Sequence, residues 1–98
     1  MIDGIYKIEV DTPLGHKAGT VAIRTQGCMA SADIDMPIIG KQHVEGQVDG
    51  DAFSAQGVFK LGLMGKVRYA LNGEVVGDDL RLNIESSKGN FHLSGVRV

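Results

Sequence analysis

Ninety-eight residues make one domain with a modest core and leave no room for a second. Hydrophobic residues make up 43% of the chain and prolines number two, a balance that signals neither disorder nor a membrane span. The formal charge of −2 argues against the basic stripe of a nucleic-acid binder, and one cysteine, Cys28, rules out an internal disulfide. The lone thiol fits a reducing cytoplasm. The opening "MIDGIYKIEV" alternates and carries charge, unlike a signal peptide. The expectation is a single cytoplasmic domain over residues 1–98.

Along the chain no helical stripe appears. Apolar and polar residues alternate, and glycine-containing turns interrupt about every twelve residues. This predicts eight strands, at roughly 4–11, 17–26, 29–36, 42–49, 52–61, 67–76, 79–85 and 90–98. The fold class expected is all-β: a single eight-stranded antiparallel up-and-down barrel. Hairpin partners share a face, so the alternation also proposes registers. Thr25 opposite Ala30, Val48 opposite Phe53 and Val75 opposite Leu80 leave the loops Gly27-Cys28, Gly50-Asp51 and Gly77-Asp78. Each is glycine-first, as a type II′ turn requires. Gly46 is then expected opposite Ala55, Gly73 opposite Leu82 and Phe59 opposite Tyr69, all inward.

The other connections come out longer: "DTPLGHKA" (11–18), "PIIGK" (37–41), "GLMGK" (62–66) and "SSKG" (86–89). In an up-and-down barrel the tight turns close one end and these loops rim the other. Gly19, Gly46, Gly57, Gly73 and Gly95 fall on the inward phase, which suggests bending or a narrowed interior. The bulky inward residues Phe59, Leu61, Val67, Tyr69, Ile84 and Phe91 lie towards the long-loop end. Lys17, Lys41, Lys60, Lys66 and Lys88 gather there too, and against Asp11, Asp35 and Glu85 they give that end about +2 by simple counting. The tight-turn end, with Asp3, Glu45, Asp49, Asp51, Glu74, Asp78 and Asp79 against Arg24 and Arg97, carries about −5.

The first strand begins Gly4-Ile5-Tyr6, and the last ends "GVRV" with Arg97 on the inward phase. This resembles the calycin pattern of lipocalins, fatty-acid-binding proteins and avidins. There a G-x-W on the first strand meets an arginine on the last, at the closed end of the barrel. Tyr6 stands where the family has tryptophan, the chain is short, and no helix is evident. The resemblance implies small apolar or amphipathic ligands entering at the opposite mouth, and Arg97 packed across Tyr6.

Catalytic patterns are thin. His43 and His92 fall on the outward phase, with His43 expected opposite Asp35 and Asp33 opposite Glu45. Three scattered histidines and one cysteine give no metal spacing. Cys28 sits in a turn without a base nearby, and "TPLG" and "KLGLMG" lead into no helix, so neither cradles phosphate. No catalytic residue, metal or cofactor is assigned. The function expected is binding of a small amphipathic or apolar, anionic molecule in the mouth, with Phe59, Tyr69, Ile84 and Phe91 against its body. His16, Lys17, Lys41 and Lys66 would meet its charge. Two alternatives stay open. One is an interaction module acting through the apolar loop tips, or a homodimer packed through the small outward residues Ala52, Ser54, Ala70 and Ser94. The other is a small lyase or isomerase using Tyr69 and His16.

Overall fold

A computed structural model describes residues 2–12, 15–37, 40–60, 65–87 and 89–98. Eight strands follow one another in chain order: β1 (Gly4–Thr12), β2 (Gly15–Gln26), β3 (Met29–Met36), β4 (Gly40–Asp49), β5 (Ala52–Lys60), β6 (Lys66–Val76), β7 (Asp79–Ser86) and β8 (Gly89–Arg97). Each pairs antiparallel with its neighbours and β8 returns to β1, so the fold is a closed up-and-down barrel. Closure leaves each strand one inner and one outer face, and the buried side chains follow that alternation. In β7, for example, Leu80, Leu82 and Ile84 are buried and the residues between them exposed.

The three tight turns form as their sequences dictate. Gly27, Gly50 and Gly77 take φ of 63°, 61° and 65°, and among the described residues no other type has positive φ. Positive φ at the first turn position alone is the signature of type II′. The second residue of each turn then anchors the following strand. The carbonyls of Cys28, Asp51 and Asp78 accept from the N–H groups of Val48 (2.9 Å), Val75 (2.9 Å) and Arg97 (2.8 Å). Gly46↔Ala55 and Gly73↔Leu82 pair as the alternation requires.

Three hairpins at the opposite end differ from expectation by a two-residue slide. Val10 pairs with Lys17 rather than Gly19, and the ladder continues to Thr12↔Gly15, so the expected long loop at 11–18 is mostly strand. Met36 pairs with Gly40, which places His43 opposite Asp33, not Asp35. Phe59 pairs with Val67 and Gly57 with Tyr69, correcting the expected Phe59–Tyr69 pair. A slide of two keeps every side chain on its face, so alternation alone cannot exclude it. In β1–β2 and β3–β4 the observed register joins more backbone groups. The β7–β8 hairpin matches expectation, with Ser86↔Gly89 and Glu85↔Asn90. The tip residues Pro13, Leu14, Ile38, Ile39, Leu61, Gly62, Leu63, Met64 and Lys88 lie outside the described residues.

A single apolar core fills the barrel, and no polar or charged residue is buried among those described. At the tight-turn end Ile2 plugs the base, 1% exposed, although it precedes the first strand. Asp3 accepts from the Thr25 N–H (2.9 Å) and hydroxyl (2.5 Å), tying the start of the chain to the β2–β3 corner. These hydrogen bonds lower the Asp3 carboxyl pKa. The sequence reading missed both roles, since a hydrophobe and an acid before a strand carry no periodic signal.

Candidate ligand-binding mouth

Arg97 closes the tight-turn end. It pairs with Tyr6 across the β1–β8 seam, its guanidinium 5.4 Å from the ring centroid. One terminal nitrogen donates to the Tyr6 hydroxyl at 2.8 Å, and that hydroxyl donates to the Ile2 carbonyl at 2.7 Å. Asp78 lies 3.6 Å from the other nitrogen. The Tyr6 hydrogen bond, with the nearby acids, favours the charged guanidinium. The predicted contact is therefore present, at an end sealed by Ile2 and Tyr6.

The other end holds the bulky inward aromatics. Phe59 and Tyr69 are both buried and stack with centroids 4.1 Å apart and planes 9° from parallel. They are diagonal neighbours, brought together by the β5–β6 slide. Tyr69 lies across Gly57, where a Cβ would come within 3.0 Å of the tyrosine hydroxyl. An aromatic covering a cross-strand glycine restores packing that the glycine lacks, and explains why this register wins. Burial raises the Tyr69 pKa, so its hydroxyl stays neutral. Ile84 is buried beside this pair, opposite Phe91. Phe91 shares the inward phase but is 39% exposed, whereas the sequence reading placed it in the interior. The reason is local: the β1–β8 ladder ends at Glu9↔Ser94, below Phe91.

Across the mouth from these aromatics stand the inward positions of β1–β4. Val10 and Met36 are buried, and Lys17 is half-buried directly opposite Val10. Lys17 was expected in a rim loop; the structure puts it on the inner phase of β2. Among the described residues it makes no ion pair. Gln42, half-buried on β4, donates its amide to the Lys60 carbonyl at 3.1 Å. The nominated His16, Lys41 and Lys66 take the outward phase and are exposed, and His16 lies 3.7 Å from Glu9. Of the cations nominated, Lys17 is the one that shares the inward phase of the aromatics. Gln42 was missed, though its inward phase beside Val44 was legible. Arg68, exposed near the rim, adds a further positive charge at that end.

Among the described residues, surface grooves run along the barrel wall. One runs over Gln56, Val58, Arg68 and Ala70, with Gly57 and Tyr69 at its floor. The histidines sit outside as well. His43 Nδ1 is 2.7 Å from Asp33 and Nε2 3.2 Å from Glu45, so both nitrogens donate when the ring is charged. His92 and Asn83 repeat this cross-strand pair on β7–β8. Among the described residues no group of three or more potential ligands is placed to hold a metal.

The barrel is similar in fold to redesigned β-barrels. One, mFAP1, was solved bound to DFHBI; it superposes with a TM-score of 0.70 at 11% identity, covering 99% of this chain and 94% of that one. A second redesigned barrel gives a TM-score of 0.66 at 8% identity, covering 99% and 90%. No family model and no curated protein matches the chain. At such identities the likeness is one of architecture.

Hydrogen bonds donated by the charged ring to Asp33 and then to Glu45 raise the His43 pKa. A histidine whose folded pKa exceeds its unfolded value stabilises fully below the unfolded value, about 6.5, and loses that contribution as pH rises through the folded one. Because the cluster is exposed, the contribution is expected to stay below about 1 kcal/mol. An NMR titration should place His43 above the ordinary histidine value, and its Asp33→Asn variant nearer to it. Equal midpoints in the two proteins would show that the pairing is absent in solution.

Proposed function

We propose that the mouth binds a small amphipathic anion, its apolar body against Phe91 and the rim of the Phe59–Tyr69 stack, its charge at Lys17. The observation that carries this is a half-buried, inward-phase lysine near the long-loop end, with no carboxylate partner among the described residues. An anionic ligand at the mouth would supply the partner that this ammonium lacks. The closed end supports the same reading, because the Tyr6–Arg97 contact is what the calycin pattern places there. The mFAP1 barrel accommodates a small molecule on a comparable architecture. A rim ion pair exposed to water contributes little, so affinity comes mainly from apolar burial, at roughly 25 cal/mol per Å² before association costs.

The test is titration with a fluorescent aromatic sulfonate and a fluorescent fatty acid. Lys17→Glu should weaken binding on the order of tenfold, about 1.4 kcal/mol. Phe91→Ala should cost about 1–2 kcal/mol through lost apolar contact. Lys41→Glu, on the outer face, should change salt dependence more than affinity. Failure of the wild type to bind either probe, or equal binding by Lys17→Glu, would sink the proposal.

A further inference from the structure

The ladder between β4 and β5 stops at Gly46↔Ala55, although β4 extends back to Gly40 and β5 on to Lys60. The direction of the backbone groups in this gap follows from strand alternation. Asp51 accepts from Val75 on β6, so odd-numbered residues along β5 aim their N–H and C=O at β6 and even-numbered ones at β4. The Lys60 carbonyl, met by the Gln42 side chain from β4, agrees. On β4, Val48 donates to Cys28 on β3, so odd-numbered residues face β5. Gln56, Val58 and Lys60 therefore present main-chain groups towards Lys41, His43 and Glu45, over a stretch with no ladder between them. A side-chain amide crosses where backbone pairing does not. Exposed strand edges of this kind accept another strand.

Charge says what kind of strand. Lys60 and Lys66 are directly opposite on β5 and β6, both exposed, with Arg68 on the same outer face and Lys41 across the seam. Like charges directly opposite on neighbouring strands are destabilising. Among the described residues neither Lys60 nor Lys66 has an ion-pair partner. On the inner side the seam is bordered by the buried Val44 and Phe59. We propose that the open β4–β5 seam is a strand-addition site for an extended peptide alternating apolar residues with aspartate or glutamate. The apolar positions face Val44 and Phe59, and the acidic positions meet Lys41, Lys60 and Lys66. This site borders the mouth at Phe59, but its main-chain and lysine contacts lie on the outer wall and it does not depend on the anion-binding reading.

The probe is a blocked synthetic peptide of about ten residues alternating valine and glutamate, a strand's length. Its control alternates valine and lysine. Amide hydrogen exchange of the whole chain is followed by NMR with each. The valine–glutamate peptide should slow exchange at Val58, Lys60 and His43 by about tenfold or more, and the control should not. Val58→Pro removes a donor aimed at β4 without touching the β5–β6 hydrogen bonds, so it should bind about tenfold more weakly at an unchanged melting temperature. Lys60→Glu should bind more weakly too. Absence of protection with the acidic peptide overturns the proposal, as does equal protection by the basic control or undiminished binding by Val58→Pro. Protection that grows with protein concentration alone would assign the seam to a second copy of the chain and overturn it equally.

Discussion

Tyr6→Ala should lose about 4 kcal/mol of unfolding free energy, the largest effect of any single substitution considered for this barrel. Tyr6 is fully buried, and its ring fills the closed end between Ile2 and the core. Removing it leaves a cavity and also strands the Arg97 guanidinium, which donates to its hydroxyl. Tyr6→Phe separates the two contributions. It keeps the ring and breaks the chain from Arg97 through the hydroxyl to the Ile2 carbonyl, at an expected cost of about 1–2 kcal/mol. Arg97→Ala should lower the melting temperature clearly, since it uncouples β8 from both β1 and the Asp78 turn. Denaturant titration of the three variants is the measurement. If Tyr6→Ala unfolds at the wild-type midpoint, the closed end is not what holds the barrel shut.

Gly46→Ala is the second. A Cβ there would lie 1.9 Å from the Ser54 carbonyl oxygen and 2.8 Å from the Ala55 Cβ. The first of these is backbone, which cannot swing aside, so β4 and β5 must separate further to admit one methyl group. Overpacking of this kind costs about 3 kcal/mol. Gly57→Ala is the internal comparison, because its Cβ would meet the Tyr69 hydroxyl at 3.0 Å, at the far end of a side chain. That variant should lose under about 1 kcal/mol. Equal melting temperatures for Gly46→Ala and wild type would mean that the close approach at Gly46 is not a real constraint. The same glycine marks where the β4–β5 ladder ends, so it both permits the approach and begins the seam.

The mouth shows how far residue patterns reach. Phe59, Tyr69 and Ile84 were legible as inward because alternation places them there whatever the register. Phe91 was legible in phase but not in exposure, since exposure depends on how far β1 follows β8. Lys17 was visible as a charge and invisible as an inward residue. The "DTPLGHKA" segment could be closed as a loop from Val10 to Gly19 or extended as strand, and only the second puts the lysine opposite Val10. His43 shows the same limit on the outer wall, where its partner changed from Asp35 to Asp33 with the slide.

By itself the sequence determined the all-β class, the eight strands, the face of each side chain and the three type II′ turns. Period-two alternation and positive-φ glycine are local properties, readable from a few residues at a time. The Tyr6–Arg97 closure was implied by the calycin resemblance, and the two residues do meet where the first and last strands pair. Only the tertiary structure decided the registers of three hairpins, the stacking of Phe59 on Tyr69 over Gly57, the inward placement of Lys17 and the gap between β4 and β5. A slide of two residues changes no side chain's face, so its free energy lies in how strands meet across the barrel, in which glycine an aromatic covers and how many ladder bonds form.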